Sequence, residues 1–366
     1  MAYPKVILNL DYIEANTGVI AHHCRRHAIQ LVGVTKVCCG SPEVAGAMLR
    51  GGAEILADSR LDNLAKLRRA GITVPLMLLR LPMVTEAQDV VSLADISLNS
   101  EVKTLRALST AATRLNKKHR VILMVDLGDL REGLLPSTAE KVFKKVYRLP
   151  GLEFIGLGTN FACYGGVVPT PENLNQLVTL RDKLERDFQV RLPVLSGGNS
   201  SSIPLLLSGQ IPPQINQLRI GEGIILGRET IHRNPIPGTC QDTARLVAEV
   251  IEEQSKPSIP RGEVSQDAFG EHPVFIDRGE RCRAILAVGR QDVTPKGLEP
   301  LTPGLEIIGA SSDHLIIDVT GRHRKFPIGS TMEFVLNYAG LLGAMTSPYV
   351  EKEFLYSQNR QGTVKP

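Results

Sequence analysis

The chain contains no apolar stretch approaching the roughly 20 residues that a helix needs to cross a bilayer. Its run at 74–79 stops at Arg80. The opening MAYPKVILNLDYIEAN carries Asp11 and Glu14 and lacks a signal-peptide cleavage pattern, so a cytoplasmic protein is expected. Cysteine is sparse: six residues (24, 38, 39, 163, 240, 282), none in a CxxC spacing. That pattern argues against a disulfide scaffold or a structural zinc and for a reducing compartment. A basic stripe is also missing. Lys plus Arg number 42 against 38 Asp plus Glu, and the dense stretches 22–27 and 114–120 fall on predicted helices as solvated faces. Neither a nucleic acid nor a membrane is expected as a partner.

What remains is an ordinary globular composition of 366 residues, 43% hydrophobic and 22% charged, about two domains in length. Strand-like runs are predicted at 6–10, 30–35, 55–57, 74–79, 96–98, 121–126, 154–157, 193–195 and 217–220. Helical periodicity lies between them. The stretch 41–51 has Ser41 at a cap, Pro42 in the first turn and a closing Gly51. Leu61, Leu64 and Leu67 recur at three-residue steps in 60–70, and 100–115 and 173–188 read likewise. About eight strand–helix units predict an α/β fold, a (β/α)8 TIM-type barrel over 1–233. Asn-Pro, Ile-Pro and Gly in 232–239 read as a linker. Beyond it, 234–366 is expected to form a mostly β domain with a last helix or tail at 349–356.

In a parallel barrel the C-terminal strand ends converge on one mouth. QLVGVT delivers Lys36, VILMVD delivers Asp126, Gly128 and Arg131, and FIGLG leads into Asn160, Cys163 and Tyr164. LPVL delivers SGGNSSS, with Asn199 and Ser200, and QLRI delivers Arg219, Gly221 and Glu222. Taken singly, each has a plain structural reading: a surface lysine, a flexible loop, a local ion pair. Their order on successive strands points to a phosphorylated ligand with a carbonyl that a lysine attacks. Pyridoxal phosphate fits that inventory.

Across ADSRLDNL, ADISLNSE, ILMVDLGDLREG, CYGGVVP, SGGNSSSI, RIGEGIILGRET, AILAVGRQD and GASSDHLIIDV, the chain resembles the pyridoxal-phosphate-dependent alanine racemase family. Within it, the likeness runs nearly end to end with the amino-acid racemase branch that includes ornithine racemase. The resemblance implies a fold type III enzyme and a homodimer whose β domains contribute to shared active sites. It implies that Lys36 holds the cofactor as a Schiff base and acts as a catalytic base. Asn199, Ser200, Gly221 and Glu222 lie where the family binds the phosphate, and Arg219 where it bonds the pyridine nitrogen. A guanidinium does not protonate that nitrogen, which favours racemisation over transamination. Arg131 matches the arginine that holds the substrate carboxylate, and Asn160 replaces a histidine near the ring.

The chain departs from the family at its second acid/base. Alanine racemase places a tyrosine where VGRQD (288–292) has Arg290, a poor proton acceptor assigned to binding. His314 is the titrating group best suited to that role, with Cys163 and Tyr164 as alternatives. A basic substrate such as ornithine or lysine would need a further carboxylate, from among Asp313, Asp292, Glu132 and Glu222. Competing readings are an alanine or broad-specificity racemase, and a non-catalytic pyridoxal-phosphate carrier. The carriers are single barrels, and this chain has about 130 residues more. An aldolase of the same fold would need a metal-binding His and Cys pair, which does not follow Cys282.

Overall fold

A computed structural model of the chain describes residues 3–322 and 325–356. The chain divides into two compact units, one spanning Leu10–Gln241 and the other combining the N-terminal strand with Asp242–Leu355.

The N-terminal strand, β1 (Lys5–Asn9), is the run expected to open the barrel. Instead it pairs antiparallel with β10 (Ala244–Pro257) and parallel with the last strand, over Glu351–Leu355. The composition KVILN is that of a strand in any sheet. Only partners more than 200 residues away decide which sheet takes it.

The barrel begins one strand later. It closes in order through β2 (Gln30–Val34), β3 (Ile55–Asp58), β4 (Leu76–Leu78), β5 (Ile96–Asn99), β6 (His119–Met124), β7 (Leu152–Gly158), β8 (Val194–Ser196) and β9 (Gln217–Ile220). All pairs are parallel, and β9 returns to β2. Around it run α1 (Leu10–Arg26), α2 (Pro42–Arg50), α3 (Leu61–Arg69), α4 (Ala87–Leu93), α5 (Val102–Arg114), α6 (Pro136–Val146), α7 (Pro171–Phe188), α8 (Ile203–Ser208) and α9 (Glu222–Leu226). Local chemistry sets the helix starts. Ser41 caps α2, accepting from Val44 N at 3.3 Å, and Thr170 forms a capping box with Asn173 on α7.

Alternate residues of the strands fill the barrel interior. Val32, Val34, Ile55, Ala57, Met77, Ile96, Leu98, Ile122, Met124 and Ile155 form one buried cluster. On β9 the same alternation contributes Gln217 and Arg219, both buried. The interior is thus apolar on most strands and polar on β9, below the mouth.

The second unit is a sheet of antiparallel pairs plus one parallel pair, β1 with β16. It contains β10, β11 (Glu280–Leu286), β12 (Leu298–Pro300), β13 (Glu306–Ala310), β14 (Leu315–Asp318), β15 (Thr331–Leu336) and β16 (Glu351–Leu355), ordered β12-β15-β10-β11-β14-β13, with β1 also pairing with β10 and β16 pairing with β1. A register shift at Val250/Glu252 lets the long β10 serve β15 with its first half and β11 with its second. The expected last helix at 349–356 is corrected: β16 is a strand, and the helix α10 (Tyr338–Thr346) precedes it. Residues 357–366 of the predicted β domain lie outside the described residues. No helix among the described residues is long and apolar enough to cross a membrane.

Candidate active site

Lys36 leaves β2 in a single 3-10 turn, Lys36–Cys38, whose cap is Thr35. The Thr35 hydroxyl donates to Asp58 Oδ2 at 2.7 Å, and its N–H donates to Ala57 O at 2.9 Å, so the turn is fastened to the end of β3. Asp58 also accepts from Asn63 Nδ2 at 2.8 Å and Arg60 N at 3.1 Å. Burial pushes its carboxyl upward in pKa against the pull of these bonds. The Lys36 ammonium pulls down the pKa of both Cys163 and Glu222, so both lie within its electrostatic reach.

Arg219 points into the barrel and is only 3% exposed. Its Nη1 donates to Ser196 Oγ, and its Nη2 donates to Thr159 O at 2.6 Å and to Asn160 Oδ1 at 2.9 Å. Burial lowers its pKa to about 10, with Glu132 acting in the opposite direction, so it remains a cation at neutral pH. Beside it, Thr159 Oγ1 is buried without a hydrogen-bond partner among the described residues.

Two loops complete this side of the mouth. In 126–134, Asp126 Oδ1 accepts from Gly128 N at 2.9 Å and Leu130 N at 3.2 Å, while Leu134 N returns to Met124 O at 2.9 Å. Gly133 closes the turn at φ +134°, where a Cβ would lie 2.5 Å from Asp126 N. The loop presents Arg131, whose Nη2 donates to Glu132 Oε1 at 2.6 Å and whose Nε donates to Glu132 Oε2. Glu132 Oε1 also accepts from Asn160 Nδ2 at 2.8 Å. Four side chains therefore form one chain of contacts: Arg131, Glu132, Asn160, Arg219.

The second loop is bound to the first by buried Asp129. Its carboxylate accepts from Cys163 N at 3.2 Å and from Tyr164 N at 3.2 Å, and its carbonyl accepts from Gly165 N at 2.9 Å. Cys163 faces the mouth charges. Although the residue is exposed overall, partial desolvation of its thiol raises its pKa first, with Arg131 and Lys36 opposing. The Tyr164 ring is 77% exposed and is not brought to these groups.

Opposite lie the Ser and Gly loops. Asn199 Nδ2 donates to Phe161 O at 2.9 Å and Cys163 Sγ at 3.2 Å, and its Oδ1 accepts from Ser201 N at 2.8 Å. Its side chain thus ties one loop to the next. Ser200 is buried, and its Oγ accepts from Gly223 N at 3.0 Å, leaving its hydroxyl hydrogen to donate. Gly221 passes close to β2: a Cβ there would lie 3.1 Å from Val34 Cβ. Glu222 pairs with Arg233, while burial raises its carboxyl pKa.

Arg290, Asp313 and His314 belong to the sheet unit, where two loops bring them together. Arg290 N donates to Ser311 O at 2.9 Å and Gln291 N to Ser312 O at 3.0 Å. His314 is in the β13–β14 turn, its side chain 45% exposed, with Nδ1 3.0 Å from Asp313 Oδ1. The Arg290 guanidinium bonds Glu271 at 2.9 Å and lies over the Phe269 ring. Of the carboxylates considered for a basic side chain, Glu132 and Glu222 are held by arginines. Asp292 is buried and accepts from Ser347 Oγ at 2.7 Å. Asp313 is occupied by its own turn.

An amine, a buried guanidinium and hydroxyl and amide loops around one barrel mouth can receive an anionic, carbonyl-bearing ligand. Residues 8–228 match the family model for the alanine racemase N-terminal domain. The chain belongs to the alanine racemase family. An ornithine racemase of Acetoanaerobium sticklandii is 43% identical over 354 residues, 96% of this chain and all of that protein. A lysine racemase of Thermotoga maritima is 40% identical over 97% of this chain and 99% of its own length. Among solved structures, an alanine racemase of Bacillus anthracis superposes with a TM-score of 0.73 at 18% identity, covering 97% of this chain and 96% of that one. The family is one of isomerases, and this chain is a racemase. Asp58 and Asp129 were not expected at the site, whereas Thr159 was expected at the end of its strand, without a partner or role. The two aspartates are inside quoted motifs, ADSRLDNL and DLGDLREG, but only folding shows what they accept from.

Proposed function

We propose that this protein is a pyridoxal-phosphate-dependent racemase of a basic amino acid, ornithine or lysine, working as a cytoplasmic homodimer. The observation that carries the substrate class is the 43% and 40% identity, over almost the whole chain, to racemases named for those two amino acids.

The residues at the mouth fit the cofactor. A buried guanidinium, Arg219 on β9, would hold the ring, and two of its five N–H donors have no partner among the described residues. The orphaned Thr159 Oγ1 beside it is a second polar group awaiting a partner. The Ser200 hydroxyl and the backbone N–H groups at Gly221 and Glu222 would hold the phosphate. Bound there through Lys36, pyridoxal phosphate supplies an electron sink that acidifies the α-hydrogen of an amino acid.

Arg131 holds the substrate carboxylate, a bidentate task suited to a planar guanidinium. Lys36 Nζ takes or returns the α-proton on one face. We assign the other face to Cys163 rather than to His314, because the thiol shares the mouth with Lys36 and its raised pKa keeps it protonated at neutral pH. In one direction Lys36 Nζ accepts the α-proton while Cys163 Sγ–H donates to the opposite face. The reverse reaction exchanges the two roles, so protons balance over a cycle. His314, Asp313 and Arg290 are then left to substrate binding in the homodimer.

The test is racemisation of ornithine, lysine, alanine and serine side by side, with sedimentation of the working form. Preference for ornithine or lysine supports the reading, and preference for alanine overturns its substrate class. A single-chain working species refutes the homodimer.

A further inference from the structure

Glu132 has no role in the reading above, yet it is the junction of the mouth. It is four-fifths buried, its side chain 18% exposed, and it receives three donors. Two come from Arg131, one to each carboxylate oxygen, so Glu132 occupies the Nε–Nη2 edge of that guanidinium. The third comes from Asn160. The Asn160 amide has only one workable orientation here. Its NH2 meets the carboxylate, and its carbonyl meets Arg219 Nη2 at 2.9 Å. Reversing it would set a carbonyl against Glu132 and an NH2 against the guanidinium.

We propose that Glu132 is the positioning residue of this site: it aims the free edge of Arg131 at the substrate carboxylate and, through Asn160, fixes the plane of Arg219. In this role Glu132 acts through Arg131 and Asn160, the side chains whose bonds it accepts. A guanidinium at the end of a flexible side chain samples many rotamers, and a bidentate partner on one edge removes most of them before substrate arrives. The carboxylate also offsets the charge of two neighbouring arginines, acting to raise the pKa of both against burial. A neutral amide at the same position could accept from Asn160 or from Arg131, but it could not grip both nitrogens of the guanidinium edge.

The proposal rests on the assignment of Arg131 to the substrate carboxylate. Its test is Glu132→Gln in the full-length, cofactor-loaded protein, read by KM, kcat, thermal midpoint and the calorimetric affinity for acetate, a bare carboxylate probe. KM and the acetate dissociation constant should rise together by about tenfold, with kcat changed no more than about threefold and the thermal midpoint preserved. Glu132→Asp should recover part of the acetate affinity. If acetate affinity and KM both stay at wild-type values in Glu132→Gln, or if kcat alone collapses, the positioning role is overturned. Should Glu132→Gln fail to fold, Glu132→Asp decides: weakened acetate binding supports the role and unchanged binding overturns it. A wild-type protein that neither takes up pyridoxal phosphate nor racemises any amino acid refutes the functional reading, and this inference with it.

Discussion

Two predictions belong to single side chains, those proposed to carry the chemistry at the barrel mouth. Lys36→Ala should lose racemase activity and visible cofactor absorbance together while keeping its fold. Lys36 adjoins the buried fastening of Thr35 to Asp58 but is not itself part of that bond. A coloured or active Lys36→Ala protein would remove Lys36 from the site. Cys163 and His314 are separated by a second experiment, solvent exchange of the α-hydrogen measured from each enantiomer. Cys163→Ala should slow exchange from one enantiomer by at least about tenfold more than from the other. His314→Ala, in an exposed turn of the sheet unit, should slow both about equally. The opposite pattern would return the role to His314.

At the scale of elements, the mouth is built by loops whose shape depends on a few backbone positions. The 126–134 loop closes at Gly133, where φ is +134° and a side chain would collide with Asp126 N. Gly166, in the neighbouring loop, also has positive φ (+69°), but a Cβ there meets nothing within 4 Å. Gly133→Ala should therefore distort the loop bearing Arg131, at a local cost of about 1–3 kcal/mol, and raise KM. Gly166→Ala, strained only by its backbone, should raise KM much less. Equal effects from the two would show that collision is not what shapes the loop. Glycine at 133 was visible in DLGDLREG, but the contact that requires it was not.

Across the whole molecule, stability should depend on pH through His119, a buried residue at the start of β6. Its Nε2 is 2.7 Å from Ser97 Oγ, and burial lowers its pKa from 6.5 to about 4. Between those values the unfolded chain binds a proton that the folded chain refuses. Stability is therefore full above about pH 6.5 and is lost as pH falls towards 4, by at most about 3 kcal/mol. Asp58 works in the other direction, since its raised pKa makes acid protonation favour the folded state. Urea midpoints of the wild type and His119→Gln, measured at pH 7.5 and 4.5, check the sign. The wild type should lose more on acidification, and equal losses would clear His119 of the effect.

Strand and helix periods, and the polar residues at strand ends, were legible because they depend on neighbours within a few positions. They were enough to predict the barrel and the second β domain, and to bring Lys36 and Arg219 among the candidates at the mouth. Pairings between distant segments were not legible. The strand 5–9 has the same composition in either sheet, and β10 and β16 decide that it leaves the barrel. Glu132 could equally have been a free carboxylate for a basic side chain, until folding set it between Arg131 and Asn160. Sequence by itself determined which residue types reach the mouth. Tertiary structure alone decided which of them hold one another, because a hydrogen bond is a matter of ångströms between groups that stand far apart along the chain.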